Sequence, residues 1–250
     1  MTDSIFNEYS NYYDLLYSDK DYAGEASYVK ELLVNFGINR GELLEFGSGT
    51  GKHGRLLATA GYKVHGIERS AEMVAQADLA TPGFSCEQGD ICEVQLSRRF
   101  DAVLALFHVV SYQVTNAQIL AVFKNAAAHL RKSGLFIFDF WYTPAVHSLQ
   151  PSVRIKRAAD HHSEITRIAE PDARENENRV DVKYTIYVRD KQSGKIRVHY
   201  ETHSMRHFTL PEIDLFAQMT GFLRINAEEF LSKAQPSLKT WGVSVTLEKQ

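Results

Sequence analysis

The stretch Leu43-Leu44-Glu45-Phe46-Gly47-Ser48-Gly49-Thr50-Gly51 restricts what this chain can fold into more than any other. A short run of buried-strand character meets glycines at alternate positions, and a helix-forming stretch follows. The next apolar run, Val64-His65-Gly66-Ile67-Glu68, ends in an acid. Glycine reaches positive φ without penalty and lets backbone approach a ligand where a Cβ would collide. A strand, a glycine turn, a helix and an acid-ended strand are how open α/β sheets grip a nucleoside-containing ligand at their carboxyl edge.

The spacing narrows that ligand. In the dinucleotide fingerprint G-x-G-x-x-G a third glycine follows two intervening residues. Here Lys52 occupies that place, and an acid, Glu45, precedes the first glycine. This argues against a dehydrogenase using NAD.

From Leu43 to Phe140 the pattern alternates between strand and helix, as a doubly wound parallel sheet requires. Strands are predicted near 43–46, 63–67, 84–88, 101–106 and 134–140, and helices near 52–60, 71–79 and 116–131. The first forty residues carry Tyr12, Leu15, Leu16, Tyr28, Leu32 and Leu33 at helical spacing, and the polar break Ser18–Tyr22 caps a second helix. From about Arg154 to Thr209 the period drops to two, in Val180, Val182, Tyr184, Ile186, Val188 and again in Ile196, Val198, Tyr200. These runs flank a hairpin turn at Asp190–Gly194, and Glu170–Asn176 has the composition of an edge loop. A helix at 211–220, with Pro211 at its start and Gly221 at its stop, precedes strands at 222–225 and 241–247. The expected organisation is therefore an α/β core at 1–145, an antiparallel β insertion at 146–209 and a closing helix and strands at 210–250.

Charge and cysteine content exclude other classes. A formal net charge of -3 leaves no electrostatic footprint for nucleic acid. Cys86 and Cys92 have neither metal nor disulfide spacing and suit free thiols. With no signal-like N-terminus and no apolar run of spanning length, the expectation is a soluble cytoplasmic protein with no membrane partner.

Glu-x-Gly-x-Gly-x-Gly at Glu45–Gly51 resembles motif I of the class I S-adenosylmethionine (SAM)-dependent methyltransferases. The resemblance implies a Rossmann-like seven-stranded sheet whose last strand is antiparallel, and SAM as cofactor. It assigns Glu45, Gly47, Gly49 and Gly51 to the cofactor turn, Glu68 to the ribose diol, Asp90 with Ile91 to the adenine, and Leu106 to the methionine side. Tyr9, Tyr12-Tyr13-Asp14-Leu15-Leu16-Tyr17 and Lys20-Asp21-Tyr22 also resemble the opening of methyltransferases that act on nucleotide-linked amino sugars. That likeness implies N-terminal helices folded over the cofactor, with Tyr13, Tyr17 and Tyr22 as candidates for its carboxylate.

Transfer of a methyl group from a sulfonium depends mostly on placing a neutral nucleophile in line, and an amine must first lose its proton. His108 and Tyr112 follow the fourth strand, where this class meets its acceptor, and can exchange that proton. Period two puts His199, Glu201, His203 and His207 on one face of the insertion; His203 is favoured by the amino-sugar resemblance. Strand neighbours two apart do not converge on one ion, so no metal is expected. A diphosphate would need cations, for which Arg154, Lys156, Arg206 and Lys239 are candidates. Trp141, Tyr142 and Trp241 can wall the acceptor. The leading expectation is N-methylation of a nucleotide-linked amino-deoxysugar, with O-methylation of a small metabolite as the enzymatic rival and a non-catalytic SAM-binding module as the other. The insertion is expected to cover the substrate or to join two copies as a homodimer.

Overall fold

The computed structural model describes residues 10–250, with side chains from Tyr12 onward; Tyr9 lies outside the described residues. By internal contacts the chain divides into an α/β unit, Asp21–Leu149 with His207–Gln250, and a β unit formed by residues 10–20 and Gln150–Arg206.

Along the chain, α1 (Ser10–Leu16) and α2 (Tyr22–Asn35) precede β1 (Glu42–Phe46), α3 (Lys52–Thr59), β2 (Lys63–Glu68), α4 (Ala71–Gln76), β3 (Phe84–Gln88) and β4 (Phe100–Ala105). Then come α5 (Asn116–His129), β5 (Leu130–Tyr142) and α6 (Thr143–Leu149). The strands β6 (Arg154–Ala159), β7 (Ser163–Arg174), β8 (Arg179–Asp190) and β9 (Ile196–Phe208) follow, before α7 (Leu210–Met219), β10 (Phe222–Glu229) and β11 (Gly242–Lys249).

In the α/β unit, β3, β2, β1, β4 and β5 lie side by side and parallel. β11 pairs antiparallel with β5, and β10 antiparallel with β11. Consecutive strand residues point to opposite faces. Leu44, Val103 and Phe136 accordingly enter a core with α5 and α7, whereas Leu43, Leu104 and Ile137 enter a second core with α2 and α3. Local chemistry sets the helix ends. Asp21 caps α2 by accepting from the Gly24 N–H at 2.8 Å, and Thr115 with Gln118 forms a reciprocal capping box on α5.

The β unit is an antiparallel sheet in the order β6-β7-β8-β9. Leu16 of α1 is fully buried with Ile165, Ile186 and Val188 of that sheet. The first helix therefore groups with the insertion, whereas the sequence placed it with the core.

The expected loop at Glu170–Asn176 is a second departure, because β7 runs to Arg174 and pairs with β8 as far as Arg179. Cross-strand ion pairs compensate for the polar composition, Lys183 to Asp172 at 3.0 Å and Arg174 to Asp181 at 3.2 Å. Pro171 is tolerated because β6 pairs only with residues up to Ala169, which leaves the far edge of β7 unpaired there. α6, between Tyr142 and the insertion, was not foreseen.

Candidate active site

The turn after β1 has the conformation its glycines permit: φ is +67° at Gly47, +56° at Gly49 and +78° at Gly51. A Cβ on Gly47 would fall 2.5 Å from Val109, and one on Gly51 would fall 2.4 Å from the Phe84 ring. At Gly49 the nearest atom would be Met73 Sδ at 3.9 Å, so this middle glycine is the one whose outer side admits a ligand.

Glu68 stands at the carboxyl end of β2, beside this turn. It is 7% exposed, and its two oxygens accept from the Gly49 N–H at 2.9 Å and the Ser70 N–H at 2.8 Å. Burial raises its pKa, against those backbone donors. With the Arg69 backbone N–H as a third donor, the four acceptor sites of the carboxylate leave one for a further donor.

Asp90, after β3, is half-buried and accepts from the Cys92 N–H at 2.8 Å. Burial, with Asp90 beside it, pushes the Cys92 thiol up to about 12. The side chains of Ile91 and Leu106 are buried in the two opposite cores, Ile91 with α5 and Leu106 with α2.

Glu45 is directed beneath α3. A Cβ on Gly54 would come within 2.6 Å of its carboxylate, and its other oxygen lies 3.9 Å from His53 Nδ1. His53 Nε2 meets Glu25 at 2.7 Å, a buried pair the sequence reading missed. The Tyr22 ring lies 5.0 Å from His53 and 4.9 Å from Lys52 Nζ, which brings this tyrosine to the helix after the glycine turn. Tyr13 and Tyr17 are in the β unit, 4.7 Å apart, and the Tyr17 hydroxyl accepts from Arg167 at 3.0 Å.

The end of β4 holds a second turn. Phe107 and His108 both adopt positive φ, +64° and +63°, and lead into a short 3₁₀ helix, Val109–Tyr112. Asp139 of β5, 1% exposed, accepts from the Phe107 N–H at 2.7 Å and the His108 N–H at 3.1 Å. His108 Nδ1 also lies 2.6 Å from Asp139, an ion-pair distance met obliquely to the ring N–H direction. Burial would push the Asp139 carboxyl up, but the neighbouring His108 and the converging N–H groups outweigh it and hold its pKa below the ordinary value.

Rings surround His108, with Phe107 at 5.6 Å and Trp141 at 6.1 Å. Trp241 packs edge-on against Trp141 at 5.6 Å. The structure thus brings together three predicted residues, His108, Trp141 and Trp241. Tyr142 packs against the α5-side core, and Tyr112 closes the 3₁₀ helix, half-buried.

In the β unit, His203 is 1% exposed, 3.1 Å from Glu201 and edge-on to Tyr184 at 4.7 Å. Burial lowers its pKa, against Glu201. Arg206 is buried on β9, Arg154 is exposed on β6, and Lys156 pairs with Asp19 at 2.6 Å. His207 is in the α/β unit, hydrogen-bonded to Thr143 at 2.8 Å.

Residues 43–134, which carry both turns, match the family model described as a methyltransferase domain. This stretch is a methyltransferase domain. Over 205 residues the chain is 29% identical to a dTDP-3-amino-3,6-dideoxy-alpha-D-glucopyranose N,N-dimethyltransferase of Streptomyces fradiae, covering 81% of this chain and 78% of that protein. It is 31% identical over 139 residues to a dTDP-3-amino-3,4,6-trideoxy-alpha-D-glucopyranose N,N-dimethyltransferase of Streptomyces venezuelae, covering 55% of this chain and 59% of that one. Among solved structures, a sugar N-methyltransferase of a Streptoalloteichus species superposes with a TM-score of 0.84 at 20% identity, over 100% of this chain and 96% of its own. A SAM-dependent methyltransferase of Clostridium acetobutylicum gives 0.81 at 18% identity, over 98% and 99%. The fold around the methyltransferase domain is that of the SAM-dependent methyltransferases.

Proposed function

We propose that this chain is a SAM-dependent methyltransferase whose acceptor is the amino group of a nucleotide-linked amino-deoxysugar. The observation that carries the reading is the S. fradiae match. Its 205 residues are more than twice the length of the methyltransferase domain, so the likeness reaches the parts of the chain outside the cofactor half.

The chain's own groups fit SAM. Left-handed glycines form a cradle that side chains would fill, Glu68 keeps acceptor capacity for a diol, and Asp90 is at the next strand end. Tyr13, Tyr17 and Tyr22 are assigned to the methionine end. Bound SAM supplies an electrophilic methyl on a sulfonium, whose sulfur leaves neutral and needs no acid.

The remaining work is to present a neutral amine in line. His108 accepts the ammonium proton, and Tyr112 orients the amine. The rings of Phe107, Trp141 and Trp241 favour the cationic amine before it is deprotonated. In the β unit, His203, Arg154 and Arg206 are assigned to acceptor binding, the arginines to the diphosphate.

A thermal-shift series tests the cofactor claim. SAM and S-adenosylhomocysteine should raise the melting temperature and NAD should not, because a ligand that prefers the folded state stabilises it. Stabilisation by NAD alone would refute the reading.

A further inference from the structure

We propose that Asp139 is the positioning residue of the acceptor site: it fixes the Phe107–His108 turn and, as the anion beside His108 Nδ1, keeps the proton on that nitrogen, leaving Nε2 as the proton acceptor. The role of Nε2 rests on the methyl-transfer reading above; the pairing of Asp139 with Nδ1 does not.

Two successive residues other than glycine in the left-handed region cost about 1–2 kcal/mol each, and such a turn persists only where its surroundings enforce it. Asp139 supplies that enforcement through both backbone N–H groups. The same carboxylate then faces Nδ1 at 2.6 Å. A neutral imidazole has one N–H and one lone pair. A buried anion 2.6 Å from Nδ1 favours the tautomer protonated on that nitrogen, which puts the lone pair on Nε2, and the anion stabilises the imidazolium formed when that lone pair takes a proton.

Asp139 follows Leu135 and Ile137 on the α2 face of β5. The titratable groups facing the pair are Tyr28 of α2, on which Asp139 acts electrostatically, and Glu228 of β10, which accepts from the Tyr28 hydroxyl at 2.8 Å. Burial raises the Tyr28 pKa, so the phenol stays neutral, and Asp139 is the anion nearest His108.

In the proton step, the ammonium N–H bond breaks and an Nε2–H bond forms. In the transfer step, the amine lone pair forms the N–C bond as the S–C bond breaks, its electrons staying on sulfur. The imidazolium returns its proton to water.

Long-range ¹H–¹⁵N spectra of the full-length protein report the His108 tautomer without any turnover. The expected result is the Nδ1–H form in the wild type and its loss in Asp139→Asn. In that variant kcat for the amino sugar should fall about 100-fold. The acid limb of kcat/KM should also move to lower pH by about one unit, since removing an anion disfavours the neighbouring cation. Calorimetric SAM affinity should be unchanged within about twofold. An Nε2–H tautomer in the wild type would overturn the proposal, as would an unmoved acid limb in a folded variant. If Asp139→Asn does not fold, the wild-type tautomer decides alone. If SAM does not bind the wild type, the functional reading fails while the tautomer still judges the pairing.

Discussion

The turns after β1 and β4 lie at the carboxyl ends of adjacent parallel strands and both need left-handed backbone, yet they reach it differently. The first uses Gly47, Gly49 and Gly51, for which positive φ carries no Cβ penalty. The second uses Phe107 and His108, and a buried carboxylate about thirty residues along the chain holds them there. On the proposed function, the first turn grips a cofactor through its backbone and is best made without side chains, whereas the second presents a side chain to the reaction, has to keep it, and depends on support from elsewhere in the fold.

Substitutions should expose this difference. The largest loss is expected for Gly51→Ala, which combines positive φ with a clash against Phe84; about 3 kcal/mol should be lost in urea unfolding, with SAM binding lost as well. Glu68→Ala comes next. Removing a charged acceptor worth about 1.5–3 kcal/mol should raise the SAM dissociation constant roughly tenfold to a hundredfold by calorimetry, and an unchanged constant would contradict the ribose contact.

A smaller effect belongs to His129, which separates stability from chemistry in pH experiments. Its Nδ1–H donates to Asn125 O at 2.8 Å and its Nε2 accepts from the Leu96 N–H at 2.9 Å, so both nitrogens are committed to the neutral ring. Burial lowers its pKa from 6.5. A histidine whose folded pKa is depressed contributes stability that is complete above the unfolded value and lost as pH falls through the folded one. Urea midpoints should therefore decline below about pH 6.5 in the wild type and decline less in His129→Gln. The smallest change is expected for Phe107→Gly, where relief of backbone strain offsets lost ring packing to within about 1 kcal/mol.

Legibility in the sequence follows the same division. The glycine turn, the Asp21 cap and the period-two insertion are local patterns that one stretch of chain displays. Asp139 is not local. Inside Phe138-Asp139-Phe140 it looks like any alternating strand position, and its role appears only once β5 lies beside β4. The same holds for the Glu25–His53 pair and for Pro171, whose place in β7 depends on where β6 stops pairing. Glu45 was legible as an acid before the first glycine, but its direction, under α3, was not.

The protein should be incubated with SAM and dTDP-3-amino-3,6-dideoxyglucose, and the products followed by mass spectrometry. A methylated amine and S-adenosylhomocysteine should appear in step, and both should be lost when SAM is omitted. Tight SAM binding with no methyl transfer to this or related nucleotide-linked amino sugars would contradict the proposed function.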